Sequence, residues 1–156
     1  MNQESVSAMK NVKLTWQRND TDFDYKTFDR THLIDYPNGV RILACASANY
    51  FGDDRMVNPD QTLIGALSSC FMLTFLALAS LKGFKVDSYE DNAEGELDKN
   101  EAGRLWVARI ALRPEVVFAA GHEPDQDAFA QLFEKAHQGC FIANSIKSEV
   151  TVSPRM

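Results

Sequence analysis

The chain has 156 residues, of which 45% are hydrophobic and 24% charged, and its formal net charge is −6. That is the size and balance of one soluble globular domain with enough mass for a core. The acidic balance, with no basic tract and no Gly-rich phosphate loop, argues against nonspecific nucleic-acid binding and against docking on an anionic membrane.

In chain order, MNQESVSAMKNVK has no apolar h-region, so no signal peptide is expected and the cytoplasm is the expected location. Residues 1–11 are expected to be a flexible N-terminus, and residues 12–156 a single domain. VKLTW (12–16) has strand character. THLIDY (31–36) and VRILACA (40–46) are expected to be two strands joined by a tight turn at Asn38-Gly39, where both residues can take positive φ. NYFGDDRMVN (49–58) is expected to be a loop. Asn58, Pro59 and Asp60 then form a helix start, and the helix is predicted to run to Lys82, with Gly83 as its left-handed stop. FKVDSYEDNAEGELDKN (84–100) and RLWVARIALRPEVVF (104–118) are expected to be two long strands around a loop near Asn100, with Pro114 ending or offsetting the pairing. DAFAQLFEKAHQG (127–139) is a second helix, with Phe129, Leu132, Phe133 and Ala136 on one face. CFIANSIK (140–147) is expected to be a short extra helix and SEVTVSP (148–154) a closing strand. The order is that of an α+β fold.

The helix starting near residue 60 carries no charge between Asp60 and Lys82. Its length alone makes it a transmembrane candidate. However, it lies mid-chain, and its flanks show no lysine/arginine cluster and no aromatic belt. A helix apolar on all sides because protein encloses it is the better account, and no membrane association is expected. So short a chain has little with which to surround it, which makes a homodimer the expected assembly.

Three cysteines, Cys45, Cys70 and Cys140, are too few and too odd a set for a disulfide scaffold, and no CxxC pair suggests a metal site. Cys45 is expected to be core. Cys70, inside the uncharged helix, is by itself a small buried hydrophobe or a working thiol. Cys140 follows Gly139 and can open a turn whose N-terminal end favours a thiolate. His137, three residues earlier, is a capping or surface histidine or an aid to that thiol. The two thiols form a redox couple only if the fold brings them together.

NPDQTLIGALSSCFMLTFLALASLKGF resembles the central helix of the OsmC/Ohr family of thiol-dependent peroxidases. AHQGCFIANSIKSEVTVSP resembles that family's second cysteine motif, and DYKTFDRTHLIDYPNG the opening of one branch, in which an arginine and a nearby histidine (here Arg30 and His32) follow an aromatic stretch. The likeness runs over about residues 12 to 154. It implies antiparallel sheets around a long buried central helix in an intertwined homodimer. It also implies an antioxidant enzyme that reduces organic hydroperoxides without a cofactor or metal. Cys70 would become a sulfenic acid and Cys140 would close an intramolecular disulfide, which a dithiol or lipoyl-protein would reduce. An arginine, first Arg30 and otherwise Arg18 or Arg41, would activate Cys70, and an acidic residue would hold that arginine. That residue is usually glutamate in the family and is Asp60 here, one methylene shorter. Ten helical residues put Asp60 about 15 Å of rise from Cys70. The expectation is therefore an active site shared across the dimer, with Asp60 serving the partner's thiol. Phe51, Met56, Phe71 and Phe141 are candidate lining residues of an apolar substrate pocket. The rival expectation is a dimeric binder of lipid-like small ligands with idle thiols.

Overall fold

The structure is a computed structural model that describes residues 10–18 and 23–156, so most of the expected flexible N-terminus lies outside the described residues. The chain divides into two compact units between Pro59 and Asp60.

The first unit is a three-stranded antiparallel meander of β1 (Lys13–Thr15), β2 (His32–Asp35) and β3 (Arg41–Ala44). The turn between β2 and β3 falls at Asn38-Gly39 as expected, but it is wider than a two-residue hairpin turn. Asp35 pairs with Arg41, and the Tyr36 N–H donates to the Val40 carbonyl. Only Gly39 is left-handed, at φ 83°. Asn38 instead accepts the Val40 N–H on its side chain at 3.2 Å, so it has no need of positive φ. After β3, Cys45 is buried and its N–H bonds the Val57 carbonyl. Residues 47–57 close on themselves around a 3₁₀ turn, Ala48–Tyr50, and Asp54 accepts the Ala48 N–H.

The second unit holds α1 (Pro59–Leu81, all but its first residue), β4 (Val86–Asp91), β5 (Glu94–Lys99), β6 (Leu105–Leu112), β7 (Pro114–Phe118), α2 (Gln126–Gly139) and β8 (Glu149–Val152). Pro59 opens α1, whose N-terminus needs no N–H there, and Asp60 lies in its first turn. The helix ends as the sequence predicts. Gly83, at φ 82°, donates to the Ser80 carbonyl, and Phe84 donates to that of Ala79. This paired closure satisfies two end carbonyls. Asp125 caps α2 by accepting the Ala128 N–H at 2.8 Å, so α2 starts one residue earlier than expected.

The two long strands expected at 84–100 and 104–118 are each broken in two. β4 pairs with β7 in one sheet, whereas β5 pairs with β6 in another. The break has a local cause. Pro114 has no N–H to give, and the Asp91 carboxylate takes the Arg113 N–H at 2.7 Å, so a side chain replaces the ladder bond. Both hairpin ladders are antiparallel, but β8 lies parallel to β6, a pairing that requires the long crossover through α2. The expected extra helix after Cys140 is one 3₁₀ turn, Ala143–Ser145.

The core of this unit forms where α1 and α2 meet the sheets. Leu67, Phe71, Phe75 and Ala79, four residues apart, make one buried stripe. Phe133 of α2 stacks on Phe71 at 6.0 Å and meets Phe75 at 4.4 Å between ring centres. Ile110 and Leu112 close the cluster from β6, and Val116 from β7. By length and composition α1 could cross a bilayer, yet its burial follows this one packed face. Its other side, with Gly65, Ala66, Ser69, Leu73 and Ala77, is exposed, Leu73 by 59%.

Candidate active site

Cys70 lies midway along α1, directly before the core residue Phe71, and is half-buried. One turn later, the Thr74 hydroxyl donates to the Cys70 carbonyl at 2.9 Å. Cys140 is fully buried at the end of α2 in an extended conformation. Its N–H donates to the His137 carbonyl, and its own carbonyl accepts the Asn144 N–H. Asn144 reaches back with its side chain to the Gln138 carbonyl at 2.9 Å, which fastens the 3₁₀ turn onto α2.

Both thiols are free, and Cys70 is a close enough neighbour of Cys140 to act on its ionisation. The fold therefore joins two cysteines 70 residues apart in sequence. Burial pushes the Cys140 thiol above its ordinary value, and the neighbouring Cys70 sulfur adds to the rise. The Ala143 N–H, 3.5 Å from Sγ, works in the opposite direction. The expectation that a helix end would favour the Cys140 thiolate is thus corrected. The turn it opens is too short to carry a useful dipole, and desolvation wins.

The other expected residues separate. Phe71 is not a pocket residue: its ring is 0% exposed and belongs to the core, because it continues the four-residue stripe. Phe141, next to Cys140, is 76% exposed. His137 is half-buried, with its ring 6.3 Å from that of Phe71. Asp60 lies in the first turn of α1, ten residues from Cys70 along the same rigid helix.

Arg30, His32, Phe51 and Met56 belong to the first unit. Arg30 donates through Nη1 to the Phe28 carbonyl at 2.9 Å and through Nη2 to that of Tyr25. Its guanidinium lies 3.8 Å from the Phe28 ring centre, 5.6 Å from Tyr25 and 5.5 Å from Phe51, within cation–π range of all three. Phe51 takes a left-handed φ of 60°, unusual for an aromatic residue. His32 Nδ1 pairs with the Arg30 carbonyl at 2.9 Å. Met56 is half-buried in the 47–57 loop. Arg41 pairs with Asp35 on the surface, and Arg18 is exposed. Arg30 and His32 open onto a cavity of about 600 Å³ whose walls include Leu14, Trp16, Phe23 and Phe28. Trp16, Phe23, Tyr25 and Phe28 were not foreseen as site residues, although the aromatic density of FDYKTF carries that signal.

The model of the OsmC-like protein family matches residues 52–155, the segment that carries both thiols and their two helices. The chain belongs to the OsmC-like family. Peroxiredoxin OsmC of Escherichia coli is 28% identical over 102 residues, 65% of this chain and 68% of that protein. The structure of an OsmC-like protein of unknown function from Vibrio cholerae superposes with a TM-score of 0.89 at 35% identity, covering 94% of this chain and 99% of that one. An organic hydroperoxide resistance protein from Legionella pneumophila shares the fold, with a TM-score of 0.70 at 15% identity and coverage of 97% and 100%. The OsmC-like family thus includes peroxidase-type redox proteins, and this chain has the family's α+β fold.

Proposed function

We propose that this OsmC-like chain is a thiol-dependent peroxidase for organic hydroperoxides, with Cys70 as the peroxidatic and Cys140 as the resolving thiol. One observation supports the reading: the fold makes Cys70 and Cys140 neighbours where α1 packs against the end of α2. The Cys70 thiolate attacks the distal peroxide oxygen. The O–O bond breaks, Cys70 becomes a sulfenic acid, and the alcohol leaves with the proton. The Cys140 sulfur then attacks the Cys70 sulfur. An S–S bond forms, the S–O bond breaks, and water leaves. A dithiol or lipoyl-protein returns two electrons and reopens the disulfide.

Arg30 is the proposed activating cation and Asp60 its proposed holder, by the chemistry of the family. The working unit is proposed to be a cytoplasmic homodimer in which the exposed apolar side of α1 meets its copy, and Asp60 serves the partner's thiol. That exposed stripe supports the homodimer, because it leaves apolar surface that one chain does not cover.

The deciding experiment treats reduced protein with one equivalent of cumene hydroperoxide or of hydrogen peroxide, blocks the remaining thiols, and maps the peptides. A rapid Cys70–Cys140 disulfide, faster with the organic peroxide, is the expected result. Thiols that stay free, or oxidise slowly and alike with both reagents, defeat the proposal. A second reading, a carrier of apolar small molecules, draws on the aromatic cavity of the first unit. A copurified ligand in native mass spectrometry, together with inert thiols, would favour it.

A further inference from the structure

Gly139 directly precedes Cys140 and ends α2. Glycine at a helix end is commonly there for a left-handed φ, as Gly83 is at the end of α1. Gly139 is not left-handed. What it lacks is room: a Cβ built on it would stand 3.2 Å from Thr74 Cγ2, inside the ordinary carbon–carbon contact of about 3.5–4.0 Å. Thr74 cannot easily swing its methyl aside. It is β-branched, and its hydroxyl is already committed to the Cys70 carbonyl at 2.9 Å. One side chain thus bonds the residue carrying the first thiol and occupies the space where a side chain on the residue next to the second would go.

We infer that Gly139 and Thr74 together are positioning residues for disulfide closure, setting how closely the end of α2, and with it Cys140, approaches Cys70. The inference rests on the proposed use of Cys70 and Cys140 as a redox pair. The step concerned converts a Cys70 sulfenic acid and a Cys140 thiol into the disulfide and water, the oxidant being the organic hydroperoxide of the previous step. A disulfide tolerates only a narrow range of Cα and Cβ separations. A shift of a few tenths of an ångström at residue 139 is passed directly to Cys140. Glycine at 139 lets the thiols meet, and the Thr74 methyl sets the limit of approach.

The test compares wild type, Gly139→Ala and Thr74→Ser/Gly139→Ala. Serine keeps the hydroxyl that bonds Cys70 and removes the methyl that meets the new Cβ. Disulfide closure is followed by rapid quench after stoichiometric cumene hydroperoxide, with sulfenic acid trapped in parallel. The Cys70–Cys140 equilibrium is measured separately in glutathione redox buffers, which need no peroxide chemistry. Gly139→Ala is expected to slow closure roughly three- to tenfold and to make the disulfide easier to reduce, with the double variant recovering most of both. The melting temperature of Gly139→Ala is expected to stay close to that of wild type, since the gain from alanine in the helix offsets the crowding against Thr74. Wild-type closure and equilibrium in Gly139→Ala, or no recovery in the double variant, overturn the inference, as does failure of wild type to form this disulfide in glutathione buffer. A wild-type disulfide that forms in glutathione but not with peroxide defeats the peroxidase reading alone, and the glutathione series then decides on Gly139.

Discussion

At the scale of single residues, Cys140 is the most informative. Its neutral form is favoured in the folded chain, because burial outweighs the pull of the Ala143 and Ile142 N–H groups on its sulfur. A thiol raised in this way is mostly protonated near neutral pH, so it waits for an electrophilic sulfur rather than competing for peroxide. The rate of disulfide closure is therefore expected to climb with pH and to keep climbing beyond the ordinary thiol value of 9.0. A plateau below pH 8 in quenched-flow data contradicts this. The linked effect on stability has a definite sign. The contribution of this group to the reduced protein is full below pH 9 and is lost as pH rises above it, because the unfolded chain ionises first. Urea unfolding of reduced protein across that range reads it directly. Arg30 shows the opposite kind of residue. Its charge is held by the Tyr25 and Phe28 carbonyls and rings from its own stretch of chain, with the Phe51 ring added from the loop after β3.

At the scale of elements, the position of α1 on its sheets is set by a few specific ties. The Ser68 hydroxyl donates to the Asp91 carboxylate, whose other oxygen receives the Arg113 N–H. Asp91 thus anchors the helix and also breaks the long hairpin into two ladders. Ser68→Ala removes a charge-assisted bond at a half-buried site but leaves the Arg113 bond, so a loss of about 1–2 kcal/mol is expected in chemical denaturation. No change in midpoint would mean that this tie does not hold α1. Gly95 makes the neighbouring approach possible, because a Cβ there would meet Ile64 Cδ1 of α1 at 2.4 Å. Neither tie was legible beforehand. Asp91 looks like one more acid in SYEDNAEGELD, and only the fold shows which acid faces Ser68.

At the scale of the whole molecule, α1 remains half-covered. Its buried stripe is aromatic and closely packed, while its other side carries Leu73 and a row of small residues in the open. The proposed homodimer buries that side against its copy. Leu73→Asp is expected to move the protein from dimer towards monomer in sedimentation velocity and to lower peroxide turnover along with dimer content. Wild-type protein that sediments as a monomer while turning over peroxide removes the shared-site part of the proposal.

The sequence by itself determined what depends on near neighbours. The uncharged helix, its proline start and Gly83 stop, the buried face of α2 and the turn at Gly39 all follow from spacing within a few residues. The two cysteine motifs, in order, were enough for the OsmC-like family. Only the tertiary structure decided what depends on residues far apart in the chain. It brought Cys70 to Cys140, split the hairpin at Asp91 and Pro114, turned β8 parallel to β6, and moved Phe71 from pocket to core. The reason is physical. Local hydrogen bonds and hydrophobic periodicity are written along the chain, whereas a contact across 70 residues depends on the packing of every element between them.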